Sequence, residues 1–285
     1  MDDNSKRDLE QSFAMNWLGL DGKAAIVTGG AAGIGRAVCR GLAEVGVRVV
    51  VTDINKEGAK AAAAELKDTF GGDHIAVKVN VSSKDSVDEM VRAALESFGR
   101  LDILVNNAGI LIPRLLVDPA GKEQLTEEIW DKVVAVNQKG YYLCGQAAAK
   151  VMVEAGKGVI INMASESGLE GSEGQSVYAA TKAAAYSLTR SWAKELGRFG
   201  VRVVGLAPGI VEATALRSEE YERALAYARG MTVDELRAKY EEVSIPLGRP
   251  GRLSEVSNVV CFLASDRASY VHGTVVNVSG GKSRA

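Results

Sequence analysis

The sequence predicts an α/β protein with one doubly wound parallel sheet of about seven strands and helices on both faces. Short runs rich in β-branched residues are apolar along nearly their whole length, which is typical of strands buried on both faces. Helix-length segments alternate with these runs, and repeated strand–helix alternation favours crossovers between parallel strands. Gly and Pro cluster at the joints, where turns are expected.

The elements follow in a regular order along the chain. The predicted strands occupy residues 24–28, 47–53, 74–80, 101–106, 158–164, 201–207 and 273–278. The predicted helices between them include 35–45, 84–98, 127–153, 177–199 and 254–264. No repeat or linker divides these elements, so we expect one domain over residues 1–285, with residues 1–15 as a flexible tail.

One segment interrupts the alternation after the sixth predicted strand. Residues 212–246 form a charged stretch with helical character. Ligands of open α/β sheets bind beyond the carboxyl ends of the strands, so an insertion here predicts a lid over the substrate. A surface loop without that role is the alternative.

Composition limits the partners that this chain could bind. The net charge of −2 gives no reason to expect nucleic acid or an anionic membrane as partner. No apolar run is long enough for a membrane span, and the charged N-terminus is unlike a secretory signal, so we expect a cytoplasmic protein. The three cysteines and two histidines lack metal-ligand spacing, which predicts reduced thiols and no metal site.

A glycine-rich loop follows the first predicted strand and opens a helix. Gly29 permits a tight turn, Gly33 lets the backbone approach a pyrophosphate, and Gly35 lets the helix pack closely against the strand. The N–H groups at the start of the helix are donors for phosphate. This arrangement predicts a Rossmann-type dinucleotide site.

The second predicted strand ends at Asp53, where a carboxylate can accept both adenosine-ribose hydroxyls and repel the 2′-phosphate of NADP. We therefore expect NAD as cofactor. A helix N-cap is the alternative role for Asp53, and Lys56 is the residue that leaves NADP open.

A second constellation has the composition of a proton-transfer site. Tyr178 and Lys182 are spaced i, i+4 and share one face of a predicted helix. An ammonium beside the phenol should lower the pKa of Tyr178 and make it a general base for an alcohol proton. Ser165 ends the fifth predicted strand, and Asn137 lies in the helix after the fourth.

With the quartet Asn106-Asn107-Ala108-Gly109, these residues resemble the short-chain dehydrogenase/reductase family from about Gly22 to Gly281. The resemblance implies that Tyr178 is the acid/base, Ser165 orients the substrate, Lys182 anchors the ribose, and Asn137 holds a relay water. It also implies a homotetramer. The cofactor residues that it implies, beyond Tyr178 and Lys182, are Gly29, Gly33, Ile34, Gly35, Asp53, Asn80, Val81, Asn107, Ala108, Gly109, Pro208, Gly209, Val211 and Thr214.

The segments around residues 113–118, 165–175 and 280–284 resemble more closely the family members that act on polyol phosphates. This implies a polyol or sugar phosphate as substrate, and we expect Arg114, Glu166 and Arg217 to contact it, with Lys139 as a further candidate for the phosphate. Free polyols, glucose and keto-acyl thioesters stay open as substrates, and so does a non-catalytic protein that senses redox state through NAD.

Overall fold

The computed structural model describes residues 17–212, 214, 217–241 and 245–283, with the side chains of residues 240 and 241 left out. The predicted flexible tail, residues 1–15, lies outside the described residues, as do residues 213, 215, 216 and 242–244 of the predicted lid.

Seven parallel strands form one sheet in the order β3-β2-β1-β4-β5-β6-β7. This confirms the predicted architecture. The strands are β1 (Ala24–Thr28), β2 (Arg48–Asp53), β3 (Ile75–Lys78), β4 (Ile103–Asn106), β5 (Gly158–Met163), β6 (Val201–Pro208) and β7 (Val275–Val278).

Helices cover both faces of the sheet. The described helices are α1 (Gly33–Glu44), α2 (Lys56–Phe70), α3 (Lys84–Phe98), α4 (Glu127–Val134), α5 (Gly140–Glu154), α6 (Ser167–Glu170), α7 (Ser176–Leu196), α8 (Glu219–Ala228), α9 (Val233–Glu241) and α10 (Leu253–Ala264). Residues of α1, α2 and α10 pack in one buried apolar cluster, and residues of α3, α5 and α7 pack in another on the opposite side.

The register of the strands aligns their carboxyl ends. Val27 in β1 pairs with Val51 in β2 and Val105 in β4, and all three side chains are fully buried. Burying each valine side chain is worth about 1.5–3 kcal/mol, and a one-residue slip would move it to the other face. The polar residues that end β2 and β4 therefore reach the same edge of the sheet.

The long helix predicted over 127–153 is not continuous. Residues Ala135–Lys139 form a π-helical turn between α4 and α5, and this turn contains Asn137. π-Helical turns are rare in proteins, and those that occur are often found at functional sites. Among the described helices, none is long and apolar enough to cross a membrane.

Candidate active site

A cavity of about 530 Å³ opens at the carboxyl edge of the sheet. Tyr178 and Lys182 line it together with most of the predicted cofactor residues: Gly29, Gly33, Ile34, Gly35, Asp53, Asn107, Ala108, Gly109, Pro208, Gly209, Val211 and Thr214. The other two, Asn80 and Val81, line a smaller cavity of about 190 Å³ that shares Gly29, Asp53, Ala108 and Gly109 with the first. The shared residues join the two cavities along the predicted dinucleotide site.

The glycine-rich loop is packed too closely for side chains. A Cβ on Gly35 would lie 2.0 Å from the Gly29 carbonyl oxygen, and Gly29 and Gly33 both adopt positive φ. Helix α1 begins at Gly33, and its N-cap residue, Ala32, makes no side-chain cap hydrogen bond. The first N–H groups of α1 are thus available to a phosphate, while α2, α3, α4 and α8 each have a side-chain cap.

The loop after β4 is fixed to the glycine loop by hydrogen bonds. The Thr28 hydroxyl accepts from the main-chain N–H groups of Asn107 (2.9 Å) and Ala108 (3.0 Å). The Asn107 side-chain amide donates to the Thr28 carbonyl at 2.9 Å. These bonds hold two walls of the cavity in a set geometry before any ligand binds.

Asp53 lines both cavities at the carboxyl end of β2. Its carboxylate accepts from the main-chain N–H of Ala31 (3.2 Å) and of Asn55 (2.9 Å). The N-cap of α2 is Asn55 rather than Asp53, so the alternative role considered for Asp53 is wrong. Each carboxylate oxygen keeps a further lone pair for a ligand hydroxyl.

Ser165 and Tyr178 meet inside the larger cavity. The Ser165 hydroxyl accepts from the Ser167 hydroxyl at 3.0 Å. Burial raises the pKa of Tyr178 above its ordinary value, and the nearby Ser165 side chain acts on that pKa in the opposite direction. The expectation that Lys182 lowers this pKa is wrong here, because burial dominates and Ser165 supplies the opposing effect.

Lys182 lies beneath Tyr178, with Nζ 5.7 Å from the centre of the phenol ring. Its ammonium donates to the Tyr141 hydroxyl (2.9 Å) and to the Met163 carbonyl (2.7 Å). Burial lowers the pKa of Lys182 to about 7, since Lys182 is only 4% exposed and has no carboxylate partner among the described residues. Tyr141, which no sequence motif indicates, is buried on α5.

The side chain of Asn137 is only 1% exposed and organises the main chain around it. Its amide accepts from the Ile110 N–H (2.8 Å) and donates to the Ile110 carbonyl (2.9 Å) and the Thr181 hydroxyl (3.2 Å). The π-turn turns this side chain toward both the β4 loop and α7. Its polar atoms are therefore committed to protein partners, and a relay water would need a main-chain carbonyl.

The sequence profile of the short chain dehydrogenase family matches residues 23–224. This chain belongs to the short-chain dehydrogenase/reductase family. Sorbitol-6-phosphate 2-dehydrogenase of Klebsiella pneumoniae is 49% identical to it over 271 residues, which cover 94% of this chain and 98% of that protein.

Other relatives of this chain are named for different substrates. The 3-oxoacyl-[acyl-carrier-protein] reductase of Thermotoga maritima is 38% identical, over 92% of this chain and 98% of that protein. The crystal structure of levodione reductase superposes with a TM-score of 0.82 at 34% identity, covering 92% of this chain and 98% of that chain. The crystal structure of a Brucella melitensis 3-ketoacyl-(acyl-carrier-protein) reductase complexed with NADH superposes with a TM-score of 0.78 at 33% identity. The match covers 93% of this chain and 100% of that chain. The shared family and fold bind nicotinamide cofactors.

The structure separates the basic residues predicted to contact the substrate. Arg114 does not line the cavity, because its guanidinium pairs with Glu123 at 2.6 Å and donates to the Pro113 carbonyl at 2.7 Å. Lys139 is exposed and also lies outside the cavity lining. Arg217 lines the cavity and donates to the carbonyl of Val211, a predicted cofactor residue, at 3.4 Å.

Glu166 lines the cavity as predicted, but it is bound to a residue that the sequence did not indicate. Its carboxylate pairs with the Lys282 ammonium at 2.7 Å, which ties the C-terminal segment to the end of β5. The sequence separation of these residues gave no reason to pair them. In the described part of the chain, no group of three or more His, Cys, Asp or Glu residues is placed to hold a metal ion.

Proposed function

We propose that the enzyme transfers a hydride between NAD and C2 of sorbitol 6-phosphate, giving fructose 6-phosphate. The observation that supports the chemistry is that Ser165, Tyr178 and Lys182 line the same cavity as the glycine loop. The choice of substrate is supported by the 49% identity to sorbitol-6-phosphate 2-dehydrogenase over nearly the whole chain.

The residues of the cavity have separate roles in this proposal. The nicotinamide ring of the bound cofactor takes or gives the hydride. The Ser165 hydroxyl orients the C2 oxygen of the substrate, and the Tyr178 phenol exchanges the proton on that oxygen. Lys182 holds the ribose, and its hydrogen bonds to the Tyr141 hydroxyl and the Met163 carbonyl fix its position beside Tyr178. Asn137 keeps the π-turn and the β4 loop in place, so that a main-chain carbonyl there can hold a relay water.

The preference for NAD over NADP rests on Asp53. Asp53 lines both cavities at the carboxyl end of β2, and a carboxylate that accepts the ribose hydroxyls there would repel the 2′-phosphate of NADP. Lys56 opens α2 on an exposed position and lines neither cavity, so nothing in its placement offsets the carboxylate.

A 3-oxoacyl thioester reductase is the second candidate, since several relatives with that name are 38% identical to this chain. The wall of the cavity near Tyr178 is polar, with Ser172, Gln175 and Arg229 facing it, and this favours a polyhydroxylated substrate over an acyl chain. A redox sensor without catalysis would have no need of the Ser165–Tyr178 pair.

Initial rates on a small substrate panel test the proposal. We expect the purified enzyme to reduce NAD with sorbitol 6-phosphate at a much higher kcat/KM than with free sorbitol, and to oxidise NADH poorly with a 3-oxoacyl thioester. A higher kcat/KM with the thioester would favour the reductase, and no turnover with any of the three would favour the sensor.

The proposal includes a homotetramer in the cytoplasm. Exposed apolar residues on α4, α5 and α10 and near the chain end, Trp130, Tyr142, Phe262 and Tyr270, supply surfaces that subunits could cover. The three cysteines are free and buried, which suits a reducing compartment.

A further inference from the structure

The part of the cavity beyond Tyr178 is formed by residues outside the predicted cofactor set. They come from the loop before α7 and from α8 with the residue that follows it: Ser172, Gln175, Tyr221 and Arg229. The Gln175 side-chain amide donates to the Tyr221 hydroxyl at 3.0 Å. Gln175 directly precedes α7, one turn before Tyr178, so these residues lie at the substrate end of the cavity.

Arg229 is the basic residue at this end. Its guanidinium donates to the Ser172 hydroxyl at 3.3 Å, and it has no carboxylate partner among the described residues. The other basic groups that line the cavity are engaged elsewhere. Lys282 is neutralised by Glu166, Lys182 lies beneath Tyr178, and Arg217 contacts the Val211 carbonyl beside the cofactor residues.

We infer that Arg229, together with the Ser172 hydroxyl, binds the phosphate group of the substrate. The inference rests on the proposed function. With C2 held at Ser165 and Tyr178, a phosphate on the far carbon of a hexitol must point away from the cofactor. A guanidinium can bind two phosphate oxygens at once, and the neighbouring hydroxyl supplies a third donor.

The alternative explanation for Arg229 is structural, because a cation at the C-terminal end of a helix such as α8 is favourable without any ligand. Two substitutions separate the explanations. Arg229→Lys keeps the charge at the helix end but loses the planar fork, and Arg229→Ala removes both. Arg223→Ala is the matched control, since Arg223 lies on the same helix and forms an exposed pair with Glu219 at 2.8 Å.

The test compares kcat/KM for sorbitol 6-phosphate and for free sorbitol in the wild type and the three variants. We expect Arg229→Ala to lower kcat/KM for sorbitol 6-phosphate by about 10- to 100-fold, as for a lost charge-assisted hydrogen bond, and to leave free sorbitol unchanged. The kcat/KM of Arg229→Lys for sorbitol 6-phosphate should lie between those of the wild type and Arg229→Ala. Arg223→Ala should have the wild-type kcat/KM for both substrates.

The outcomes that overturn the inference differ from those that overturn the proposed function. Suppose that the wild type prefers the phosphate ester. If Arg229→Ala keeps that preference, or lowers kcat/KM equally for both substrates, the inference is wrong and the proposed function stands. A wild type with no preference for the phosphate ester overturns both.

Discussion

Replacing Tyr178 with phenylalanine should lower turnover about 10²–10⁴-fold, which is the usual cost of losing acid–base catalysis. The ring still fills its place above Lys182, 5.7 Å from Nζ, so the affinity for NAD should change little. Burial raises the pKa of Tyr178, so alcohol oxidation by the wild type should speed up as pH rises and the phenol loses its proton. The Tyr178→Phe variant should lose this rise. Stopped-flow turnover and cofactor titration across pH measure both effects.

Tyr142→Phe is the control, because Tyr142 is 45% exposed on α5 and lies outside the cavity lining. A Tyr178→Phe variant that keeps more than about a tenth of wild-type turnover would show that another group carries the proton.

Substitution of Asp53 should have the next largest effect, on cofactor choice. Asp53→Ala is expected to weaken NAD binding by about 1–3 kcal/mol, the range for hydrogen bonds to a charged acceptor. It should also reduce the difference between the affinities for NAD and for NADP. Asp53→Asn removes the charge and keeps an acceptor for only one of the Ala31 and Asn55 N–H groups, since these donate to different carboxylate oxygens. It should therefore gain NADP affinity with a smaller loss of NAD affinity. Dissociation constants for both cofactors, measured by fluorescence titration, give the result.

Asp73→Ala provides the matched control, since Asp73 is exposed between α2 and β3 and lines neither cavity. A wild type that binds NADP more tightly than NAD would refute the role given to Asp53, and Lys56 would become the residue to test.

The sheet could be predicted from the sequence because its strands are buried on both faces and appear as apolar runs. β1 has the predicted bounds, while β3 is shorter than the predicted run at both ends. His74 explains the later start of β3. Its imidazole, not its main chain, accepts from the Val49 N–H, so the side chain continues the contact with β2 where the strand itself has not begun. The apolar runs in the sequence locate each strand, but the residue at which a strand begins or ends depends on tertiary contacts such as that of His74.

Most of the cofactor residues could also be placed from the sequence, since they end or follow strands and parallel strands end at one edge. The substrate end could not. Glu166 meets Lys282, and Ser172 meets Arg229, across separations that no local pattern indicates. Arg114 is predicted to contact the substrate, but its guanidinium pairs with Glu123 and its main-chain N–H donates to the Gly174 carbonyl, and both are tertiary contacts.

The electrostatics of the site depend on burial, which spacing alone does not give. The i, i+4 spacing correctly places Lys182 near Tyr178. From that spacing alone, the charge of Lys182 is expected to lower the pKa of the Tyr178 phenol. Burial instead lowers the pKa of Lys182 to about 7 and raises that of Tyr178. Helix propensity likewise does not indicate the π-turn, in which Asn137 hydrogen-bonds Ile110 and Thr181, residues distant from it in sequence.

The most direct test of the account follows the hydride itself. The wild-type enzyme is incubated with NAD and sorbitol 6-phosphate that carries deuterium at C2, and both products are analysed by mass spectrometry. We expect deuterium in the reduced cofactor, none in the fructose 6-phosphate, and a slower rate than with the unlabelled substrate in single-turnover measurements. Reduced cofactor without deuterium, or a ketose phosphate that retains it, would contradict hydride transfer from C2.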